Sequence, residues 1–376
     1  MTPKITRAFA AGPSEKDLVA MTPRFVLAAL IATGWPAGAA PEARGAVVVV
    51  ANRTRSEVRF TVTPPDGEAR PHAVAANDLA AIPLTGPAEL AFGAGPARRR
   101  FQVIPDTAYY VAESDGALNL REIGLAARPR GPAPAGAPAP SGPAGPPPPR
   151  VLTVKLFVDQ KEPAARPGWE KRLRGRVEMA SAALDHICRV TLKVVAVEEW
   201  QSDDAAAGDL HRLLADFERK VRAGPAQVAV GFSSQPAGAQ PDGRVGGTRA
   251  ALHPFLLLRE WRPTTERGRV DVLLHELGHY LGAAHSPEPD SIMRPALGNS
   301  PLSVGNWHSG FDPVNALVMN IVAEEVFDRG VKRLGQVSPA ARARLREVYG
   351  DLARALPEDP AAGQHLRLLG GPPVAP

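Results

Sequence analysis

The sequence predicts an α/β domain with a mixed, mostly parallel sheet and long helices, preceded by a small all-β, sandwich-like domain. Short alternating strands with frequent turn residues occupy residues 44–125, and strands alternate with helices from residue 151 onward. The segment between them is rich in proline. Strands that alternate with helices are typical of a parallel sheet, whereas short strands at regular spacing are typical of a sandwich or barrel.

The N-terminal segment has the three parts of a signal peptide. Arg24 precedes an apolar run that ends at Trp35, and small residues follow at Ala37 and Ala39. We expect residues 1–39 to be a leader that is cleaved after Ala39, with Met21 as an alternative start. The run is too short to anchor the protein stably in a bilayer, so the sequence predicts a secreted or periplasmic protein without a membrane span. A buried helix of the first domain is the alternative.

Residues 44–125 read as a small β-domain. Val58, Phe60 and Val62 alternate with polar neighbours, and turn pairs such as Asp115-Gly116 separate the short strands. This pattern favours a sandwich or barrel. No group of chemically active side chains stands out in it, so adhesion, shielding and spacing all remain open as its role.

Residues 126–150 predict a linker. Ten prolines fall between Pro129 and Pro149, with no apolar side chain larger than alanine or proline among them. Such a segment cannot bury enough surface to fold, and it is expected to form an extended, semi-rigid spacer. The linker therefore separates the β-domain from a second domain over residues 151–350.

The second domain alternates strands with helices. Its first predicted helix runs from Trp169 to Cys188, and an edge strand is expected near Gly246 to Leu252. The apolar positions of that helix recur with the 3.6-residue period and are Leu173, Val177, Ala180, Leu184 and Ile187. Residues 351–376, which contain His365, are expected to be an unstructured C-terminal tail.

Composition argues against a nucleic-acid-binding protein and excludes a fold held together by intrachain disulfides. The net charge of +5 is spread along the chain and only 5% of residues are aromatic, which argues against a nucleic-acid partner. Cys188 is the only cysteine, so no intrachain disulfide is possible, and its helical position predicts a buried core thiol. The sequence gives no indication of the oligomeric state.

The stretch HELGHYLGAAH, residues 275–285, predicts a metal site. His275 and His279 are four residues apart, so both imidazoles reach the same ion from one face of a helix. Glu276 lies close enough to bind a water on that ion without being a ligand, which is the position of a general base. The alternative is a histidine-rich helix end with solvated rings.

Two further residues make the prediction specific. Gly282 follows His279 by three positions and can end the helix with a positive φ angle, which allows the chain to return His285 to the same ion. Three neutral imidazoles leave one tetrahedral position for water, as in catalytic zinc sites. We therefore expect Zn²⁺ as the cofactor.

HELGHYLGAAH resembles the HExxHxxGxxH motif of the metzincin superfamily of zinc endopeptidases. HSPEPDSIMRP follows it, and Met293 resembles the methionine of the superfamily's Met-turn. Ser286 and the Ser291-Ile292-Met293 phrase are closest to the matrixin-like branch. The resemblance implies zinc ligands at His275, His279 and His285, a general base at Glu276, and an apolar floor at Met293. It also implies that residues 295–310, with Trp307 and His308, form a wall of the substrate pocket.

The sequence thus predicts an exported zinc endopeptidase that hydrolyses peptide bonds of a protein or peptide substrate. The alternative is a secreted binding or adhesion protein that retains a metzincin-like scaffold without turnover. An intact set of three histidines and a glutamate favours the enzyme. The natural substrate, a latency mechanism and calcium sites are not predicted.

Overall fold

Eight strands form two four-stranded sheets in the first half of the chain. The computed structural model describes residues 46–65, 67–95, 98–114, 116–124, 150–236, 244–260, 265–295 and 310–370. The strands are β1 (Ala46–Asn52), β2 (Val58–Thr63), β3 (Arg70–Val74), β4 (Leu79–Leu84), β5 (Ala88–Phe92), β6 (Arg99–Val103), β7 (Thr107–Ser114) and β8 (Ala117–Glu122). The sheet orders are β4-β1-β7-β8 and β3-β2-β5-β6, and all neighbours are antiparallel except the parallel pair β1 and β7.

Strand β1 is buried on both of its faces. Val48 and Val50 lie in the apolar core shared by the two sheets, whereas Val49 and Ala51 belong to the core of the second half of the chain. Successive side chains of a strand point to opposite faces, so an unbroken apolar run such as VVVVA is typical of a strand covered twice. The β-sheet region therefore packs against the rest of the protein through one face of β1.

A five-stranded sheet organises the described chain from residue 150 onward. Its strands are β9 (Arg150–Asp159), β10 (Val190–Trp200), β11 (Val228–Ser233), β12 (Gly246–Gly247) and β13 (Phe255–Arg259), in the order β10-β9-β11-β13-β12. The first four strands in this order are parallel, and β12 at the edge is antiparallel to β13. Strand β11 is buried along its whole length, as expected for a strand with covered faces.

Six α-helices lie in the described residues. They are α1 (Arg166–Cys188), α2 (Leu210–Lys220), α3 (Glu266–Tyr280), α4 (Pro313–Phe327), α5 (Pro339–Ala355) and α6 (Pro360–Leu368). Asp312, Ser338 and Asp359 each cap a helix that has proline at its start. Proline is tolerated there because the first N–H groups of a helix have no partner within it. The predicted apolar positions of α1 are all buried, and buried Cys188 has its pKa raised to about 12 by desolvation.

Helix α4 is almost completely buried. Of its 15 residues only Glu324 and Phe327 are not buried, and it packs against β1, β4 and β7 as well as α1, α5 and β9. Its Asn320 Nδ2 donates to Ile187 O at 2.8 Å near the end of α1. A helix that is apolar on all sides needs neighbours on all sides. The β-sheet region supplies one of those neighbours.

Substitution of Val49 tests this packing. We expect Val49→Thr to lower the free energy of unfolding by about 1–3 kcal/mol, because the added hydroxyl is buried against the core without a hydrogen-bond partner. Val195→Thr, on a 40% exposed side chain of β10, is the matched control and is expected to change stability by less than about 0.5 kcal/mol. Urea unfolding of both variants measures the difference, and equal effects would contradict the shared core.

The structure corrects two expectations. The edge strand expected over Gly246 to Leu252 is limited to Gly246–Gly247 among the described residues, because the chain then turns and Leu252 N donates to Tyr280 O at 2.9 Å. Residues 351–370 are not an unstructured tail, since α5 extends to Ala355, α6 follows, and apolar residues of α6 enter the main core. His365 is buried at 4% exposure.

The described residues form a mixed α/β fold with several sheets and six helices. No helix among them is long and apolar enough to cross a membrane. The leader, residues 126–149 of the predicted linker and residues 296–309 of the predicted pocket wall, with Trp307 and His308, lie outside the described residues. The division into domains stays a prediction.

Candidate metal centre

Helix α3 presents two of the three histidines on one face. Thr265 caps the helix by accepting from Gly268 N, and the apolar side of α3 is buried in the main core. His275 Nε2 and His279 Nε2 lie 3.1 Å apart, and His285 joins them so that one nitrogen of each ring falls within 4.8 Å of the others. The fold therefore brings the three predicted ligands together.

A sharp turn between Tyr280 and His285 returns the third ring. Gly282 has a φ of +87°, and its own N–H donates to His279 O at 3.0 Å. A side chain there would meet Val322 Cγ2 of α4 at 2.8 Å and Tyr349 Oη of α5 at 3.0 Å. Glycine is needed at this position both for its positive φ and for the close approach of these two helices.

Each ring donates through its second nitrogen to an oxygen atom. His275 Nδ1 donates to Ile292 O at 2.7 Å, and His279 Nδ1 donates to Ala283 O at 2.9 Å. The ring of His285 donates through Nδ1 to Asp359 Oδ2 at 2.6 Å. These acceptors fix the tautomer in which Nε2 carries a free lone pair.

The donor set suits a zinc ion. Burial lowers the pKa of His275 to about 4 and lowers that of His279 well below its usual value, so both rings are neutral at pH 7. Zinc–nitrogen bonds of about 2.0–2.1 Å place two nitrogens of a tetrahedral ion roughly 3.3 Å apart. The 3.1 Å separation of the first two Nε2 atoms is close to that value. Three converging lone pairs without a cation would repel one another.

Glu276 lies beside the histidines in a buried position. Its side chain is oriented toward the edge strand, where a Cβ atom on Gly246 would come within 2.6 Å of Glu276 Oε1. Among the described atoms Glu276 Oε2 has no hydrogen-bond partner. Burial raises the pKa of this carboxyl to about 8, and the charge of Arg244 opposes the shift. A buried oxygen without a partner suits a group that binds a water or substrate atom.

Met293 packs against α3. It is fully buried, and a side chain on Gly278 would come within 2.8 Å of its Sδ atom and of Phe311 Cε1. Ser286 N donates to Met293 O at 2.8 Å, which ties the residue after the third histidine to this turn. The methionine thus contacts the helix turn between the first two ligands.

The start of α4 holds both loops of the site in place. Asp312 caps α4 and accepts a hydrogen bond from Ser291 Oγ at 2.8 Å in the turn before Met293. Asn315 Oδ1 accepts from Ala284 N at 3.0 Å, next to His285. These side chains connect the loop of the third histidine to the methionine turn through one helix end.

Two residues near the site, Asp359 and His365, are not predicted from the sequence. Asp359 caps α6 and His365 lies within it, and His365 Nε2 is buried without a hydrogen-bond partner among the described atoms. Burial lowers the pKa of His365 to about 4. The Asp359-Pro360 pair at the start of α6 matches the Asp312-Pro313 pair at the start of α4. That signal indicates a helix, but it does not indicate where the helix packs.

Comparison with known proteins gives one family match. The sequence model of the peptidase family Matrixin matches residues 193–304, which include HELGHYLGAAH and Met293. This match confirms the resemblance to metzincin zinc metalloproteases, and it supports a zinc metallopeptidase in general terms. No curated protein matches the chain.

The solved structures that match this chain include two archaemetzincins. The one from Methanopyrus kandleri is 18% identical, with a TM-score of 0.36, covering 46% of this chain and 96% of its own. The one from Archaeoglobus fulgidus, complexed with malonate, is 19% identical, with a TM-score of 0.32, covering 44% and 99%. A zinc-dependent peptidase from Methanocorpusculum labreanum is 12% identical, with a TM-score of 0.32, covering 44% and 100%.

Proposed function

We propose that the protein is an exported zinc endopeptidase. The observation that carries this proposal is the convergence of three histidine Nε2 atoms beside a buried glutamate whose Oε2 has no hydrogen-bond partner among the described atoms. His275, His279 and His285 would hold the ion, and Glu276 lies too far round the helix to be a ligand. The arrangement supports hydrolysis more than a purely structural metal site, because a structural zinc usually has four protein ligands.

Glu276 would carry the proton through the reaction. Zinc, when bound, supplies a Lewis acid that lowers the pKa of a water and polarises the scissile carbonyl. The positive charge of a bound ion would favour the ionised form of Glu276 despite its burial, and this carboxylate would then take a proton from the attacking water as the new C–O bond forms. It then gives that proton to the amide nitrogen as the C–N bond breaks. One water is consumed, and a carboxylic acid and an amine are released.

A peptide substrate would bind along the edge of the five-stranded sheet. Among the described strands β12 pairs only with β13, so its other side is available to an added strand. Gly246 of β12 lies against the carboxylate of Glu276. A peptide paired with β12 would therefore pass next to both the proton carrier and the three histidines. Protein or peptide is the proposed substrate class, and nucleic acid is not.

Gly246→Ala tests this arrangement. We expect kcat/KM to fall by about 10- to 100-fold with zinc binding retained, because the new methyl group displaces Glu276 Oε1 from its position and small misplacements of catalytic groups cost rate on this scale. Gly247→Ala is the matched control, since its methyl group meets only the end of the Leu210 side chain at 3.1 Å. Peptidase kinetics and metal analysis of both variants make the comparison. Equal losses of kcat/KM in the two variants would contradict the proposed arrangement of Gly246 and Glu276.

The function itself is tested by metal analysis combined with a protease assay. We expect about one zinc per chain and casein cleavage that a chelator abolishes and added zinc restores. Zinc without cleavage would favour the secreted binding protein on the same scaffold. Export is tested separately by sequencing the N-terminus of the protein released from its host, which is expected to begin at Ala40.

A further inference from the structure

The three ring contacts in the metal centre are not equivalent. His275 and His279 donate to backbone carbonyls of neighbouring turns, Ile292 O and Ala283 O. His285 instead donates to a carboxylate, Asp359 Oδ2, at 2.6 Å across 74 residues of sequence. A carboxylate acceptor stabilises the positive charge that develops on an imidazole when it binds a cation, and a neutral carbonyl does so less strongly.

Asp359 performs two tasks with its two oxygens. Oδ1 accepts from Ala361 N at 2.9 Å and so caps α6, while Oδ2 faces His285. The backbone of Asp359 is extended, with φ −94° and ψ 123°, as expected for a residue that precedes a helix. The helix cap therefore fixes the direction of the second oxygen. The two side chains are only 19% and 14% exposed, so water competes weakly for the contact.

The position of α6 is in turn fixed by packing. Ala362, Leu366 and Leu369 are buried in the main core. The ring of His365 lies 4.8 Å from that of Tyr349 on α5, and Tyr349 Oη donates to Gly282 O at 2.6 Å. Helices α5 and α6 thus contact both the turn that precedes the third histidine and the ring of that histidine.

We propose that Asp359 is a positioning residue for His285, so that the C-terminal helix α6 is a part of the metal centre. It holds the ring in the tautomer with a free Nε2, fixes its orientation, and makes it a stronger ligand. His275 and His279 lie on a rigid helix and need less support, whereas His285 lies in a loop that only tertiary contacts hold. This inference rests on the proposed zinc site.

The test separates the histidine contact from the helix cap. Asp359→Ser keeps a good capping residue but is too short to reach His285. Asp209→Ser is the matched control, because Asp209 caps α2 by accepting from His211 N and Arg212 N. Zinc affinity of the metal-free full chain is measured by competition with a chromophoric chelator, and the visible spectrum of the Co²⁺-substituted protein is recorded in parallel.

We expect the zinc dissociation constant of Asp359→Ser to rise by about 10- to 100-fold, with a changed Co²⁺ spectrum, and that of Asp209→Ser to stay at the wild-type value. Asp359→Asn has a single acceptor oxygen, which serves either the helix cap or His285 Nδ1 but not both, and it loses the charge, so we expect its zinc affinity to lie between those of Asp359→Ser and the wild type. It also serves as the comparison if the serine variant loses its cooperative melting transition.

The outcomes distinguish this inference from the proposed function. A wild-type chain that binds no zinc would overturn the function. Wild-type zinc affinity and an unchanged Co²⁺ spectrum in both Asp359 variants would overturn the positioning role while leaving the function intact. A loss of zinc affinity as large in Asp209→Ser as in Asp359→Ser would show a general effect of cap loss and would also overturn the positioning role.

Discussion

Glu276→Gln is expected to bind zinc as the wild type does and to lose about 10²- to 10⁴-fold in kcat/KM for casein or a peptide. Glutamine has the same shape and fits the same buried position, but its amide cannot accept a proton from water at neutral pH. The three histidines and their Nδ1 acceptors are untouched by the change. Activity and metal content measured on one preparation show whether the two properties separate.

The matched control is Glu288→Gln on the loop after the third histidine. Glu288 pairs with Arg53 at 2.8 Å, and both side chains are more than 30% exposed. An exposed ion pair contributes about 0–1 kcal/mol, so this variant should keep its activity. Full activity in Glu276→Gln would mean that another group carries the proton, and loss of zinc in that variant would mean that the site does not have the proposed geometry.

Gly282→Ala is expected to lower the free energy of unfolding by about 2–5 kcal/mol and to weaken zinc binding. A left-handed backbone costs a non-glycine residue roughly 1–2 kcal/mol, and forcing a methyl group into a packed site costs about 1–3 kcal/mol more. The contacts responsible are Val322 Cγ2 at 2.8 Å and Tyr349 Oη at 3.0 Å. Relief of this strain would move the turn and with it His285.

Gly330→Ala separates the two costs. Gly330 has a φ of +70°, but a side chain there would meet nothing within 4 Å. We expect this control to lose about 1–2 kcal/mol from backbone strain alone and to keep its zinc affinity. Chemical denaturation and chelator competition on both variants provide the comparison. Similar losses for the two glycines would contradict the close approach of α4 and α5 at the turn.

Local spacing accounts for much of what the sequence predicts correctly. The apolar positions of α1 follow the helical period, and the buried side of α3 follows the same rule. His275 and His279 share a helix face because four residues make slightly more than one turn. The Matrixin match over residues 193–304 confirms the resemblance drawn from these spacings. In each of these cases the geometry of one helix is enough to show which residues share a face.

Strand β1 shows what local spacing in the sequence does not specify. Its unbroken apolar run VVVVA indicates a strand that is covered on both faces, but it does not identify the second cover. The structure shows that Val49 and Ala51 join the core that contains α4. Two surfaces that are both apolar can pack against many partners, so shape and chain path decide the pairing.

The sequence by itself determined the helix that carries His275 and His279 and the turn glycine after it, and it predicted the type of chemistry, because each depends on residues within about one or two helical turns. Only the tertiary structure decided that α6 packs beside the third histidine and that Asp359 meets its ring at 2.6 Å. A contact across 74 residues depends on how the whole core packs. No periodicity or short motif in the sequence specifies that packing.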